Sequence, residues 1–294
     1  MYRTDLAIER MEMAENEGAQ ACDNSGVTME KTDYGSDVTA TMISIIDESG
    51  EKLLRKPTGK YITIETKSVI EENEDVKDTV IDAVASELKK MISFHYNLKV
   101  LVAGLGNRSV TPDSLGPETA SKVRVTRHLF IMFEADGDDE MSCVSCMIPG
   151  VSATTGMETA DIIKKAVEVT CPEVLIVIDS LAARNIERVS TTIQITDTGI
   201  SPGAGMGNHR TGINEGTIGI KVIAIGVPVV IDAATIIRDA LNENVESANQ
   251  IDEYINKFDE QLIVTSTDID MIIKEFSDII AAGINKTIHP GIYS

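Results

Sequence analysis

Apolar positions recur along this chain with two different periods, and their alternation predicts the architecture. In DVKDTVIDAVASELKKMISF the residues Val76, Val80, Val84, Leu88 and Met91 fall three or four apart, the spacing of an amphipathic helix. GMETADIIKKAVEVT, DAATIIRDALNENV and STDIDMIIKEFSDIIAAGINKTI predict three more helices, and GPETASKVR a shorter one with Pro117 at its first position. LKVLVAGLG, CVSCMIPG, EVLIVID and IKVIAIGVPVV are instead short and almost continuously apolar, as strands buried on both faces are. The β-branched runs DVTATMISII and KYITIE predict an antiparallel pair, and TTIQIT one further strand. Apolar strands alternating with helices imply an α/β fold. We expect a mostly parallel twisted sheet with helices on both faces and a small N-terminal β/α extension. Residues 1–35 are polar and acidic and are expected to form a flexible N-terminal segment, leaving 36–294 as one domain.

In such sheets ligands gather beyond the carboxyl ends of the strands, which selects the loops after Ala103, Ile178 and Ile225. The first loop opens GLGNRSVTPDSLGP and imitates a dinucleotide fingerprint, but a third glycine is missing and no helix begins inside it. A second glycine cluster, SPGAGMGNHR, also lacks a helix and reads as a loop; its His209 is a lone histidine. Asp197-Thr198-Gly199 matches the tripeptide of ordinary aspartic proteases. Those enzymes pair two such tripeptides in an all-β setting, so here it is expected to be a decoy. No nucleophile elbow, H-E-x-x-H or Walker lysine is present.

Composition narrows the partners. With 47 Asp+Glu against 26 Lys+Arg, the net charge of -21 argues against direct nucleic-acid binding, which relies on cations displacing counterions from phosphates. No apolar run is long enough to cross a bilayer, and the expectation is a soluble, unexported protein with no membrane partner. Four cysteines suit a reducing compartment. Cys143 and Cys146 share an apolar strand, where a separation of three points them to opposite faces and away from shared metal binding. No cofactor is expected.

Two carboxylates remain. Asp179 closes an apolar strand, and Asp113 lies in the loop from a neighbouring one, between Pro112 and Gly116-Pro117. Either alone reads equally as a turn or helix cap. Brought together they would share a proton, one acting as base on water and the other as acid toward a leaving amine.

The blocks GLGNRSVTPDSLGP, TRHLF, IPGVSATTGMETADII, IDSLAAR, IERVSTTIQITDTGI, PGAGMGN and IAIGVPVVIDA, in that order, closely resemble the germination protease of spore-forming bacteria. That resemblance implies an endopeptidase that degrades small acid-soluble spore proteins at germination, in the cytoplasm of the forespore and in the spore core. It implies an atypical aspartic peptidase whose essential residues are Asp113 and Asp179, on a fold shared with hydrogenase-maturation proteases, assembled as a homotetramer. Those latter relatives hold a metal near the equivalent carboxylates, so a metal-dependent hydrolase, or a metal- or nucleotide-binding module, stays open as the alternative. The family is also made as a self-processing zymogen. RTDLAIE is similar to the sequence the family cuts, which places self-cleavage between Asp5 and Leu6 after a short propeptide. Cleavage after an acidic residue calls for a cationic pocket, for which Arg184, Arg188 and Arg210 are the candidates.

Overall fold

The computed structural model describes residues 4–16, 18, 26–35, 37–66, 74–203, 210–241 and 262–293. Cys22, His209 and most of the second glycine cluster lie outside them. The described strands form one mixed sheet in the order β1-β2-β3-β7-β8-β6-β4-β5, with β9 attached to β8. Its parallel part is β5 (Cys143–Met147), β4 (Lys99–Gly104), β6 (Val174–Ala183) and β8 (Lys221–Asp232). The remainder is antiparallel: β1 (Val27–Gly35), β2 (Val38–Ile45), β3 (Gly59–Thr66) and β7 (Thr192–Thr196) continue the sheet from β8, and β9 (Ile263–Val264) pairs with the far end of β8. The α/β class and the predicted β2–β3 pair therefore hold, with a larger antiparallel share than the apolar runs suggested.

Period-two alternation along the parallel strands builds a core on each face. Val100, Val102, Ile176, Ile178, Ile223 and Ile225 point to one side, beneath α3 (Glu74–Met91) and α10 (Ile269–Ile288), whose Val84, Leu88, Phe276 and Ile280 are fully buried there. Leu101, Ala103, Leu175, Val177, Val222 and Ala224 point to the other, beneath Ile163 of α7 (Thr159–Thr170) and Ile218 of α8 (Glu215–Ile218). Pro228, which cannot donate to a ladder, sits where the β6–β8 register shifts between Leu181 and Ala182.

Three expectations change. The segment 1–35 contains two placed elements. Helix α1 (Ala7–Asn16) packs Ala7, Ile8, Met11 and Ala14 against Ile43, Ile45, Leu54 and Leu181, and β1 pairs with β2 from Val27 to Gly35. The polar composition misleads because β1 is an edge strand: it exposes most of its side chains and is held by main-chain hydrogen bonds, which leave no hydrophobic signature. Helix α4 (Leu115–Ala120) starts two residues before Pro117, which still lies in the first turn, where its missing N–H costs nothing. Strand β6 continues four residues past Asp179, to Ala183.

Candidate active site

The extra length of β6 sets the site. Strand β4 pairs with β6 only as far as Gly104 opposite Ile178, so Asp179 is the first residue of β6 past the point where its neighbour departs. The chain leaving β4 stays close, with Leu105 donating its N–H to the Ile178 carbonyl at 2.8 Å. It then turns at Gly106, whose φ of +109° belongs to the left-handed side of the map and whose position leaves a Cβ only 2.1 Å from the Asp113 carbonyl oxygen. Asn107 donates its N–H to that same carbonyl at 2.9 Å, and a short 3-10 turn over Thr111–Asp113 delivers the carboxylate. Gly116 lets α4 sit directly on the strand ends, because a Cβ there would lie 2.2 Å from Leu105 O and 2.4 Å from Ile178 O. These glycines serve close packing, and no phosphate site is needed to account for them.

Asp113 and Asp179 thus face one cavity of about 350 Å³, which they line together with Gly106, Ser180 and Arg210. Asp179 is 6% exposed and accepts one hydrogen bond from the Ser180 N–H at 2.9 Å. Burial drives its pKa well above the usual carboxylate value, and the Asp113 charge adds to the rise. Asp113 is half-buried; burial raises its pKa too, opposed by a hydrogen bond from the Asn107 N–H. One proton is therefore favoured on the pair, most strongly on Asp179.

A family model for germination protease matches residues 7–247 of this sequence. The chain belongs to the germination protease family. It is 42% identical over 220 residues to a germination protease of Clostridium perfringens, an alignment covering 75% of this chain and 67% of that protein. It is also 42% identical to those of Caldanaerobacter subterraneus and of a Geobacillus species, in each case over 75% of this chain and over 66% and 61% of theirs. This germination protease family member is accordingly a peptidase, a hydrolase of peptide bonds.

The residues expected at the self-processing site lie beside the cavity. Asp5 lines it, and its carboxylate contributes to the rise of the Asp179 pKa. The segment joins the edge of β6 that β4 has vacated: Asp5 N–H donates to Ala182 O at 3.0 Å, and Ala182 N–H donates to Asp5 Oδ2 at 2.9 Å. The Asp5 carbonyl accepts from Lys56 Nζ at 2.8 Å and Gln194 Nε2 at 3.0 Å, and Gln194 Oε1 accepts from the Ala7 N–H. Leu6 is fully buried. Behind it the buried Glu9 carboxylate accepts from the N–H groups of Arg184 and Asn185, both at 2.8 Å, and from the Thr4 hydroxyl.

The three candidate arginines are spread apart. Arg210 lines the cavity and pairs with Glu158 at 3.6 Å. Arg188 forks onto Glu12 at 2.6 and 2.7 Å and reaches Glu65 at 3.1 Å, tying α1 to the sheet. Arg184 meets the α1 segment through its main-chain N–H to Glu9. Neither Arg184 nor Arg188 lines the cavity that holds the aspartates. Asp197 accepts from Lys60 N–H at 2.7 Å and stitches β7 to β3, a structural duty outside that cavity. Cys143 and Cys146 are free thiols, half-buried on β5, with burial raising both pKa values.

A hard cation takes six or more oxygen ligands, and a zinc site at least three protein ligands. Among the described residues no three His, Cys, Asp or Glu side chains converge in that way, and the Asp5 carboxylate is occupied by Ala182 N–H. Among the described residues the donors around Asp113 and Asp179 are too few for a resident metal. Lys56 and Gln194 escaped sequence reasoning. Gln194 left one signal, as the amide in the short strand TIQIT, whose five residues are all buried, where an amide must find partners. Lys56, in an ordinary turn before Pro57, left none.

Proposed function

We propose that this peptidase cleaves small acid-soluble spore proteins by aspartate-activated water, and that it is made as a zymogen. The observation that carries the mechanism is the burial of Asp179 beside Asp113 at the vacated edge of β6. In the proton-sharing state Asp113 is ionised and Asp179 is protonated. Asp113 takes a proton from water as the hydroxyl adds to the substrate carbonyl, while Asp179 gives its proton to the carbonyl oxygen, forming a neutral diol. Collapse of the diol returns one hydroxyl proton to Asp179, and Asp113 passes the water proton to the leaving amine, restoring both groups.

Self-processing between Asp5 and Leu6 fits the position of Asp5 on the wall of the same cavity. With Leu6 buried and the Asp5 carbonyl held by two donors, the segment must shift before the bond is cut. Thr4 and Asp5, ahead of that bond, are then held by specific contacts. We further expect a homotetramer in the forespore and spore core, acting without direct nucleic-acid or membrane partners.

The test is incubation of the purified protein with a small acid-soluble spore protein, as wild type, Asp113→Asn and Asp179→Asn. Each variant is expected to lose cleavage by about 10²–10⁴-fold. Normal cleavage by either one removes the dyad. Loss of wild-type cleavage on adding a chelator would restore the metal reading.

A further inference from the structure

A second cavity, of about 320 Å³, adjoins the one that holds the aspartates. Asp5, Leu181, Ile200 and Ser201 line both, so the two form one groove crossed by the N-terminal segment. Where that segment enters α1, three residues are joined in one chain of hydrogen bonds. The Leu6 N–H donates to the Thr4 hydroxyl oxygen at 2.9 Å, and that hydroxyl donates to Glu9 Oε2. All three residues are buried, Glu9 to 2% exposure. The Glu9 carboxylate also accepts from the N–H groups of Arg184 and Asn185, in the turn that follows β6. Burial still raises its pKa, because the cations that face it are committed elsewhere. Arg188 lowers the Glu9 pKa but forks onto Glu12 and reaches Glu65; Lys56 donates to the Asp5 carbonyl; and Arg10, on α1 itself, is shared with Asp5.

Hydrolysis of the Asp5–Leu6 bond changes this chain of bonds in two ways. Water supplies a hydroxyl to the Asp5 carbonyl carbon and a hydrogen to the Leu6 nitrogen, so an amide with one N–H becomes a primary amine. At neutral pH the new carboxyl gives up a proton and the amine takes one, becoming an ammonium with three donors. Thr4 leaves with the N-terminal fragment, and Glu9 Oε2 loses its hydroxyl donor. The new cation then lies no more than two hydrogen bonds from that oxygen, with nothing left between them. Its neighbours keep it there. Leu6 belongs to the core that α1 shares with Ile43, Leu54 and Leu181, and the Ala7 N–H is bonded to Gln194 Oε1 at 2.8 Å. A cation at the start of a helix opposes the helix dipole, and a carboxylate in the first turn offsets it; Glu9 is the acidic residue of that turn.

We propose that the Glu9 carboxylate is the receptor for the α-ammonium that processing creates at Leu6, and that this ion pair holds α1 and the Arg184–Asn185 turn together once Thr4 and Asp5 have left the groove. The cut then opens both cavities without undocking α1, and it withdraws the Asp5 charge that bears on Asp179. The pair rests on the processing reading above for its occurrence, but it can be measured without self-cleavage. The chain from Leu6 onward is released from an N-terminal ubiquitin fusion by a ubiquitin hydrolase; it keeps the described apolar core, which begins at Leu6. Competitive acetylation of the Leu6 amine across a pH series, read by mass spectrometry, gives its pKa. It should lie at least about one unit above the ordinary α-amino value of about 7.7–8.0, a tenfold preference for the ammonium, and return to that range in Glu9→Gln. A Met placed ahead of Leu6, which moves the ammonium out by one residue, should abolish the rise. A raised folded pKa adds stability that is complete below the unfolded value and is lost as pH rises through the folded one. The melting gap between the released chain and its Glu9→Gln variant should therefore narrow at alkaline pH, more than the same gap in the full chain, where the Leu6 nitrogen is an amide. Lys56, with a pKa of about 8, titrates in both chains, so the difference between them carries the result. An ordinary pKa places the amine in water, and a lowered one places it in the core without a partner; either overturns the pair, as does a rise that survives Glu9→Gln. A rise that Glu9→Gln removes, with N-terminal sequencing showing no cut of the full chain between Asp5 and Leu6, leaves the pair standing and counts against the processing reading.

Discussion

Asp179 is held in a place where its charged form is penalised, and this has a thermodynamic consequence separate from catalysis. Its folded pKa is raised, so its favourable contribution to stability is complete below the unfolded value of 3.8. That contribution is lost as pH rises from there through the folded value. Asp179→Asn should therefore melt higher than wild type at pH 7, by about 2–4 °C for each kcal/mol of relieved desolvation, and the gap should close below pH 4. Calorimetry at the two pH values measures it. Cleavage by the wild type should fall on the alkaline side as Asp179 loses its proton, a limb absent from any activity that does not use the pair. Gly116 makes a different kind of prediction. Its missing Cβ accommodates two carbonyl oxygens at 2.2 and 2.4 Å, so Gly116→Ala forces α4 off the strand ends. It should cost about 1–3 kcal/mol in denaturant unfolding and lower cleavage further than that loss explains, because Asp113 moves with α4.

At the scale of elements, α1 and β6 decide how the groove is covered. α1 is anchored by Leu6, fully buried, and by the fork of Arg188 onto Glu12. Leu6→Ala should cost about 2–5 kcal/mol locally and release the segment, seen as faster trypsin cutting at Arg10. Arg188→Met should act in the same direction but more weakly, since its partner Glu12 is well exposed and returns to water. If the docked segment covers the groove, both variants should self-process sooner than wild type, read by gel shift and N-terminal sequencing. The helices and buried strands were legible in the sequence because each carries its own period. Three features were not: the extension of β6 beyond Asp179, the edge strand β1, and the docking of α1. The first two depend on main-chain pairing with a distant partner, and main-chain groups are the same whatever the side chain; α1 docks through Ile8 and Met11 against Ile43, Ile45 and Leu181, which only the fold brings together.

Across the whole molecule the sheet runs without interruption from β1 through the parallel strands to β5, and both of its faces are covered by helices. Such a chain should unfold in one cooperative transition, with coincident loss of far-UV dichroism and of tyrosine fluorescence; two separated transitions would instead divide the antiparallel part from the parallel one. Light scattering is expected to give four times the 31.8 kDa chain mass if the proposed tetramer forms. The order of apolar runs alone determined the α/β class, the strands that lie in the core, the loop that carries Asp113 and the strand that carries Asp179, since burial and period are written in side chains. Tertiary structure alone decided that β4 leaves β6 one residue before Asp179, that the vacated edge takes up Asp5, and that Lys56 and Gln194 converge on its carbonyl. The physical reason is that pKa, desolvation and charge convergence arise from distances between residues far apart in the chain, such as Asp5 with Ala182 and Lys56 with Asp5. A motif such as TPD or LAAR specifies the groups and leaves those distances to the fold.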